Sequence, residues 1–149
     1  KVLTCGNGGS AADAAHLAEE LTGRYRGDRR ALPAVNLAGD AAALTCIVND
    51  YGYEAAFSRQ VEALGAEGDL LVAFSTSGKS GNILRALEVA RQRGIATVGV
   101  LGKGGGPAAA MVDLALVVPH ENTARIQELH TLVLHVLCEA AEHAFAPGA

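Results

Sequence analysis

The chain contains no tryptophan, three phenylalanines, three tyrosines and a single methionine among its 149 residues. Aromatics make up 4% while half of all residues are hydrophobic, so the core has to be built from Ala, Val, Leu and Ile. Positive charge is also scarce. Twelve Lys and Arg against 16 Asp and Glu give a net charge of -4, and no basic run is available to hold a nucleic acid or an anionic membrane. The one cluster, Arg24, Arg26, Arg29 and Arg30, is short and has no interleaved aromatic beyond Tyr25, which reads as a solvated loop or a subunit contact. Cys5, Cys46 and Cys138 are odd in number and show neither paired nor metal-type spacing, so they are expected to be small buried residues in a reducing compartment. No apolar stretch is long and clean enough to span a bilayer and no cleavable leader is recognisable, which makes the cytoplasm the expected location. Internal repeats, low-complexity linkers and composition shifts are missing as well, so residues 1–149 are expected to form one domain. Because Lys1 stands at the edge of the first apolar strand, an N-terminal helical segment is expected to be missing, and the tail 146–149 is expected to fray.

What is present is an alternation of strand and helix. The apolar runs Val2 to Cys5, Ala34 to Leu37, Leu70 to Phe74, Thr97 to Leu101 and Leu114 to Val118 read as buried strands. Helices are expected over Ser10 to Arg24, Ala41 to Val48, Glu54 to Leu64, Asn82 to Arg93 and Thr123 to Phe145. Such alternation predicts an α/β fold: a five-stranded parallel sheet with helices on both faces and right-handed crossovers. Open sheets of this kind bind ligands at the carboxyl ends of their strands.

Two turns occupy such positions. The first strand runs into Gly6-Asn7-Gly8-Gly9-Ser10, where glycines permit positive φ and close backbone approach, and the following helix start offers unpaired N–H groups to an anion. This is not the dinucleotide fingerprint, because the Gly-x-Gly-x-x-Gly order is absent and no acidic residue ends the next strand. The third strand runs into Ser75-Thr76-Ser77-Gly78-Lys79-Ser80, which delivers four hydroxyls to the head of a helix. An N-cap needs one such residue, and the excess points to phosphate. Asn49-Asp50, after the short helix that follows the second strand, is expected at the same end of the sheet.

Metal-ligand chemistry is offered by two helices. His16 and Glu20 are four apart and share a helix face, so imidazole and carboxylate can converge on one ion; a histidine packed in the core with one satisfied nitrogen is the alternative. The last helix offers Gln127 and His135, but eight residues span about 12 Å and a rotation of about 80°, which strains joint coordination.

Taken together, Cys5-Gly6-Asn7-Gly8-Gly9-Ser10-Ala11-Ala12-Asp13, His16-x-x-Glu19-Glu20-Leu21-Thr22-Gly23-Arg24-Tyr25, Asn49-Asp50-Tyr51-Gly52, Ser75-Thr76-Ser77-Gly78-x-Ser80 and Arg125-Ile126-Gln127-Glu128-x-His130 resemble the bacterial phosphoheptose isomerases, of the SIS (sugar isomerase) domain type. The resemblance covers essentially the whole chain and implies a flavodoxin-like α/β/α sandwich. It also implies an aldose–ketose isomerase converting sedoheptulose 7-phosphate to D-glycero-D-manno-heptose 7-phosphate, which supplies the precursor of ADP- or GDP-heptose. The same resemblance implies a zinc ion, one per subunit, held by His16, Glu20, Gln127 and His135. Substrate contacts would fall on Asn7, Gly8, Gly9, Glu20, Asn49, Asp50, Ser75, Thr76, Ser77, Ser80 and Gln127, and the assembly would be a homotetramer with sites at subunit boundaries. Some family members carry an acidic residue just before the position of Arg125, where this chain has Ala124.

The reaction explains these residue types. Moving a carbonyl from C2 to C1 requires a base to take a carbon-bound proton, an acid to donate, and stabilisation of the enediolate between them. Glu20 is the natural base and His135 the natural acid. A non-catalytic SIS-domain regulator that binds the bacterial replication initiator resembles the chain through the Arg-Ile-Gln-Glu segment and the strand-end serines. Such regulators replace the equivalents of Glu20 and His135 with residues unable to transfer protons, and this chain keeps both, which favours the enzyme. An isomerase of another phosphosugar is the third reading, since nothing in the sequence measures the pocket.

Overall fold

A computed structural model describes residues 1–145, so the expected fraying of 146–149 lies outside the described residues. The chain runs β1 (Val2–Cys5), α1 (Gly9–Thr22), β2 (Ala34–Asn36), α2 (Ala41–Tyr51), α3 (Ala55–Leu64), β3 (Leu70–Ser75), α4 (Gly81–Gln92), β4 (Ala96–Gly102), β5 (Leu114–Val118) and α5 (Thr123–Phe145). All five strands are parallel, in the order β2-β1-β3-β4-β5. The chain steps outward from β1 to β2 and then crosses back to β3. The carboxyl ends of β1 and β3 therefore flank the point where the direction of winding reverses, the crevice that open α/β sheets use for ligands.

Strand alternation distributes the side chains between two cores. Leu71 and Ala73 of β3 join Leu3, Cys5 and Leu101 on the face covered by α3 and α4, through Phe57, Val61, Ile83, Ala86, Leu87 and Ala90. Val72 and Phe74, one residue out of phase, join Val100 on the opposite face with Ala14, Leu17 and Leu21 of α1 and Leu134 and Cys138 of α5. As the composition predicts, these cores are aliphatic. Phe74 is the largest wholly buried side chain, worth about 1.5–3 kcal/mol of apolar burial.

Three departures have physical causes. The second helix continues past Val48 to Tyr51 and is ended by Gly52 at φ 83°, so Asn49 and Asp50 lie inside α2 rather than in the turn after it. None of the residues of α2 is buried in the isolated chain, and Cys46 is exposed, which corrects the expectation of three buried cysteines. Cys5 and Cys138 are buried as expected, and burial pushes their thiols up to about 12 and about 11. Between β4 and β5 the chain makes two short 3-10 turns, Lys103–Gly105 and Pro107–Ala110, because Gly104, Gly105 and Gly106 at positive φ and then Pro107 interrupt any longer crossover helix.

Candidate active site at the sheet switch point

At the end of β1, a Cβ on Gly6 would collide with the backbone of Ser10, so the tight turn into α1 excludes any side chain there. Gly8 has φ 58° and faces open space, while a Cβ on Gly9 would collide with the Gln127 carboxamide. No side chain caps the start of α1 among the described residues; the turn itself takes the Ser10 N–H on Asn7 O at 3.1 Å and the Ala11 N–H on Gly8 O at 3.0 Å, which leaves the Gly9 N–H for a ligand.

Across the crevice, β3 ends in the serine turn. Ser75 Oγ accepts from the Gly78 N–H at 3.0 Å and Ser77 Oγ accepts from the Lys79 N–H at 3.2 Å, so both hydroxyls keep a hydrogen to donate outward. Ser80 is the N-cap residue of α4 but makes no side-chain cap, so hydroxyl and helix-head amides are both available to an anion. The 3-10 segment braces this turn from behind: Gly105 and Gly106 lie so close to Ser77 and Gly78 that Cβ atoms would clash, and the Ala108 N–H donates to Gly78 O at 3.1 Å. The two turns enclose a cavity of about 80 Å³ lined by Asn7, Ser10, Phe74, Ser75, Thr76, Ser77 and Ser80.

Two polar residues that sequence reasoning missed stand beside this cavity. Asn82, in the first turn of α4, is wholly buried and exchanges amide hydrogen bonds with Asn7, Asn7 Nδ2 donating to Asn82 Oδ1 at 2.9 Å and Asn82 Nδ2 donating to Asn7 Oδ1 at 2.8 Å. The Tyr53 hydroxyl also donates to Asn7 Oδ1, at 2.8 Å.

On the other face, α1 and α5 lie side by side and run in the same direction: Gly9 meets Gln127, Thr131 Oγ1 donates to Asp13 Oδ1 at 3.0 Å, and His16 meets His135. His16, Glu20 and His135 each place one ligand atom within 4.8 Å of the other two. His16 Nε2 is 3.3 Å from Glu20 Oε1, and the His135 ring meets the His16 ring edge-on at 5.1 Å while stacking on Tyr25 at 5.6 Å. All three are half-buried, open enough to reach a ligand. The Gln127 carboxamide packs against Gly9, two helical turns before His135 on α5. Asn49 and Asp50 are exposed on α2, where Asn49 Nδ2 donates to Asp50 Oδ1 at 2.7 Å.

The arginine segment is strapped to the protein rather than merely solvated. Arg29 donates to Glu20 O at 2.7 Å and Leu21 O at 3.0 Å, closing the carbonyl end of α1. Glu142 of α5 accepts the Arg26 N–H at 2.8 Å and the Gly27 N–H at 3.1 Å, and these bonds, that from Arg26 first, hold its carboxyl below the usual range. This strap carries Tyr25 to its place on the His135 ring. Deeper in, burial pushes Asp13 up and His130 down, and the His130 ring is anchored to Leu101 O at 3.1 Å.

Comparisons with known proteins identify the family. The SIS domain family profile matches residues 1–102. The chain is 53% identical over 145 residues to a phosphoheptose isomerase of Nitratiruptor sp., a match covering 97% of this chain and 78% of that protein. Among solved structures it resembles the phosphoheptose isomerase of Neisseria gonorrhoeae, with a TM-score of 0.89, 49% identity and coverage of 96% of this chain and 76% of that one. A phosphoheptose isomerase from Francisella tularensis gives a TM-score of 0.90 at 42% identity, covering 93% and 74%.

Proposed function

The chain belongs to the phosphoheptose isomerases, which are built on the SIS domain, and from that membership we propose how its residues divide the work. It is an aldose–ketose isomerase that converts sedoheptulose 7-phosphate to D-glycero-D-manno-heptose 7-phosphate. The observation that carries our assignment of roles is the convergence of His16, Glu20 and His135 within 4.8 Å, on the helix pair that starts beside the switch-point crevice.

In this reading Ser75, Thr76, Ser77 and Ser80 hold the phosphate at the head of α4, with Asn7, Gly8 and Gly9 presenting donors to the sugar from the opposite turn. The phosphate is remote from the reacting carbons, so its binding energy positions them. Glu20 takes the proton from C1 of the open-chain ketose, the electron pair moves toward the C2 carbonyl oxygen, and the enediolate results. His135 protonates that oxygen, and loss of the C1 hydroxyl proton with return of a proton to C2 leaves the aldehyde at C1. Gln127, seated on Gly9, serves the sugar oxygens.

Two imidazoles and one carboxylate suit a zinc ion with an open coordination position, so the donor set fits the group the family implies. His16, Glu20 and His135 would hold it, and bound there it would polarise the substrate carbonyl. Gln127, seated against Gly9, would be the fourth ligand. We place the enzyme in the cytoplasm as a homotetramer: among the described residues no helix is long and apolar enough to cross a membrane, and α5 exposes Leu129, Leu132 and Val136 along one face while α2 buries nothing.

The test is a panel of C5, C6 and C7 ketose phosphates. Preferential turnover of sedoheptulose 7-phosphate is the expected result. A higher kcat/KM on a shorter sugar would reassign the substrate, and no isomerisation of any would overturn the catalytic roles.

A further inference from the structure

Buried carboxamides are costly unless their donors and acceptors are matched, so the pairing around Asn7 repays a count. Its Oδ1 has two lone pairs, and both are taken, by Asn82 Nδ2 at 2.8 Å and by the Tyr53 hydroxyl at 2.8 Å. Its Nδ2 has two hydrogens, and one is spent on Asn82 Oδ1 at 2.9 Å. What is left to the cavity that Asn7 lines is a single N–H, and no acceptor atom. The three residues come from three separate places: Asn7 from the turn after β1, Tyr53 from the link between α2 and α3, and Asn82 from the first turn of α4. Asn82 is wholly buried, whereas Tyr53 is 56% exposed and touches Asn7 with its outermost atom.

We propose that Asn82 and Tyr53 are positioning residues for the isomerisation, clamping the Asn7 carboxamide so that it meets the substrate only as a hydrogen-bond donor. Asn82 sets the plane of the amide and ties the glycine turn to the serine turn across the crevice. Tyr53 occupies the second lone pair of Oδ1, which would otherwise be free to face the ligand and repel an oxygen acceptor. The clamp thus selects a group that presents a lone pair, a sugar or phosphate oxygen, over one that can only donate, such as an ammonium. The proposal rests on the reading of Asn7 as a substrate contact.

A double-mutant cycle separates the two. Tyr53→Phe should lower kcat/KM for sedoheptulose 7-phosphate by about three- to tenfold, the scale of one hydrogen bond, mainly by raising KM, with an unchanged melting temperature. In an Asn7→Ala background the same change should cost less than about twofold, because the clamped group is gone. Asn82→Asp, which keeps the volume but removes the donor to Asn7 Oδ1, should show the same dependence on Asn7; if that variant does not fold, the Tyr53 cycle decides alone. Equal losses from Tyr53→Phe in the presence and absence of the Asn7 side chain, or no loss in the parent, overturn the clamp. Parental kcat/KM in Asn7→Ala overturns the substrate contact itself, and the clamp with it.

Discussion

Gly9→Ala should separate activity from stability in a way that few glycine substitutions do. Gly9 is the first residue of α1 and does not have positive φ, so alanine is allowed by the backbone. The atom that an added methyl meets is the carboxamide of Gln127, the far end of a flexible side chain, which can swing away. Replacing glycine in a compatible helical position stabilises by about 0.4–1 kcal/mol through the unfolded chain. The folded protein should therefore gain up to about 1 kcal/mol, read as a urea midpoint raised by a few tenths molar at an unchanged slope of roughly 1–3 kcal/mol/M. Catalysis should move the other way. Displacing Gln127 from the sugar oxygens and crowding the ligand costs roughly 1.4 kcal/mol or more, a loss of about tenfold or more in kcat/KM. In a Gln127→Ala background the activity cost should shrink, since nothing remains to be displaced. Gly6→Ala is the contrast, because its Cβ meets the Ser10 backbone, which cannot yield, and the loss should appear as unfolding. A Gly9→Ala enzyme with full activity would refute the placement of Gln127 at the substrate, and one that unfolds would refute the packing argument.

Glu20→Gln should leave far-UV circular dichroism intact while lowering kcat by about a hundredfold or more, the scale of a lost general base; turnover within tenfold of the parent would sink that role. A strong chelator should abolish isomerisation without changing the fold at 25 °C, with zinc restoring the rate, and full activity in protein that elemental analysis finds metal-free would end the metal assignment. His130 yields a pH prediction. Burial lowers its folded pKa, so below the ordinary value of about 6.5 the unfolded chain binds a proton that the folded chain resists. The stability held by neutral His130 is thus complete above that value and is lost as pH falls through it. Between pH 7.5 and 5.5 the urea midpoint of the parent should fall further than that of His130→Gln, and parallel profiles would place the acid sensitivity elsewhere.

Local pattern predicts most of the fold because most of the elements declare themselves locally. β1, β5 and α5 begin and end where the apolar runs do, and the sheet follows from the alternation. The second helix was harder to bound, since Asn49 and Asp50 are ordinary helix-terminal residues until Gly52 is seen to end it. The exposure of Cys46 follows from α2 having no sheet beneath it in one chain, which periodicity cannot reveal. His16 and Glu20 were legible as a pair because four residues make one helix face, and the serine turn because four hydroxyls exceed what a cap needs. The Asn7, Tyr53 and Asn82 network was not: its partners lie 46 and 75 residues apart, and each reads alone as a turn or cap residue. Nor does the sequence reveal that α1 and α5 align Gln127 with Gly9, because that register is set by their packing against the sheet.

The order in which the residues occur along the chain has a consequence for synthesis. Every residue that lines the cavity between the two turns lies between Asn7 and Ser80. Gln127 and His135 belong to α5, the final helix, which also supplies Leu134 and Cys138 to the core beneath α1. A ribosome therefore delivers the proposed grip on the phosphate well before the acid proposed to work with Glu20. A chain stopped short of Thr123 carries the serine turn and Glu20 but neither Gln127 nor His135, so it keeps the residues proposed to hold phosphate and lacks the proposed acid.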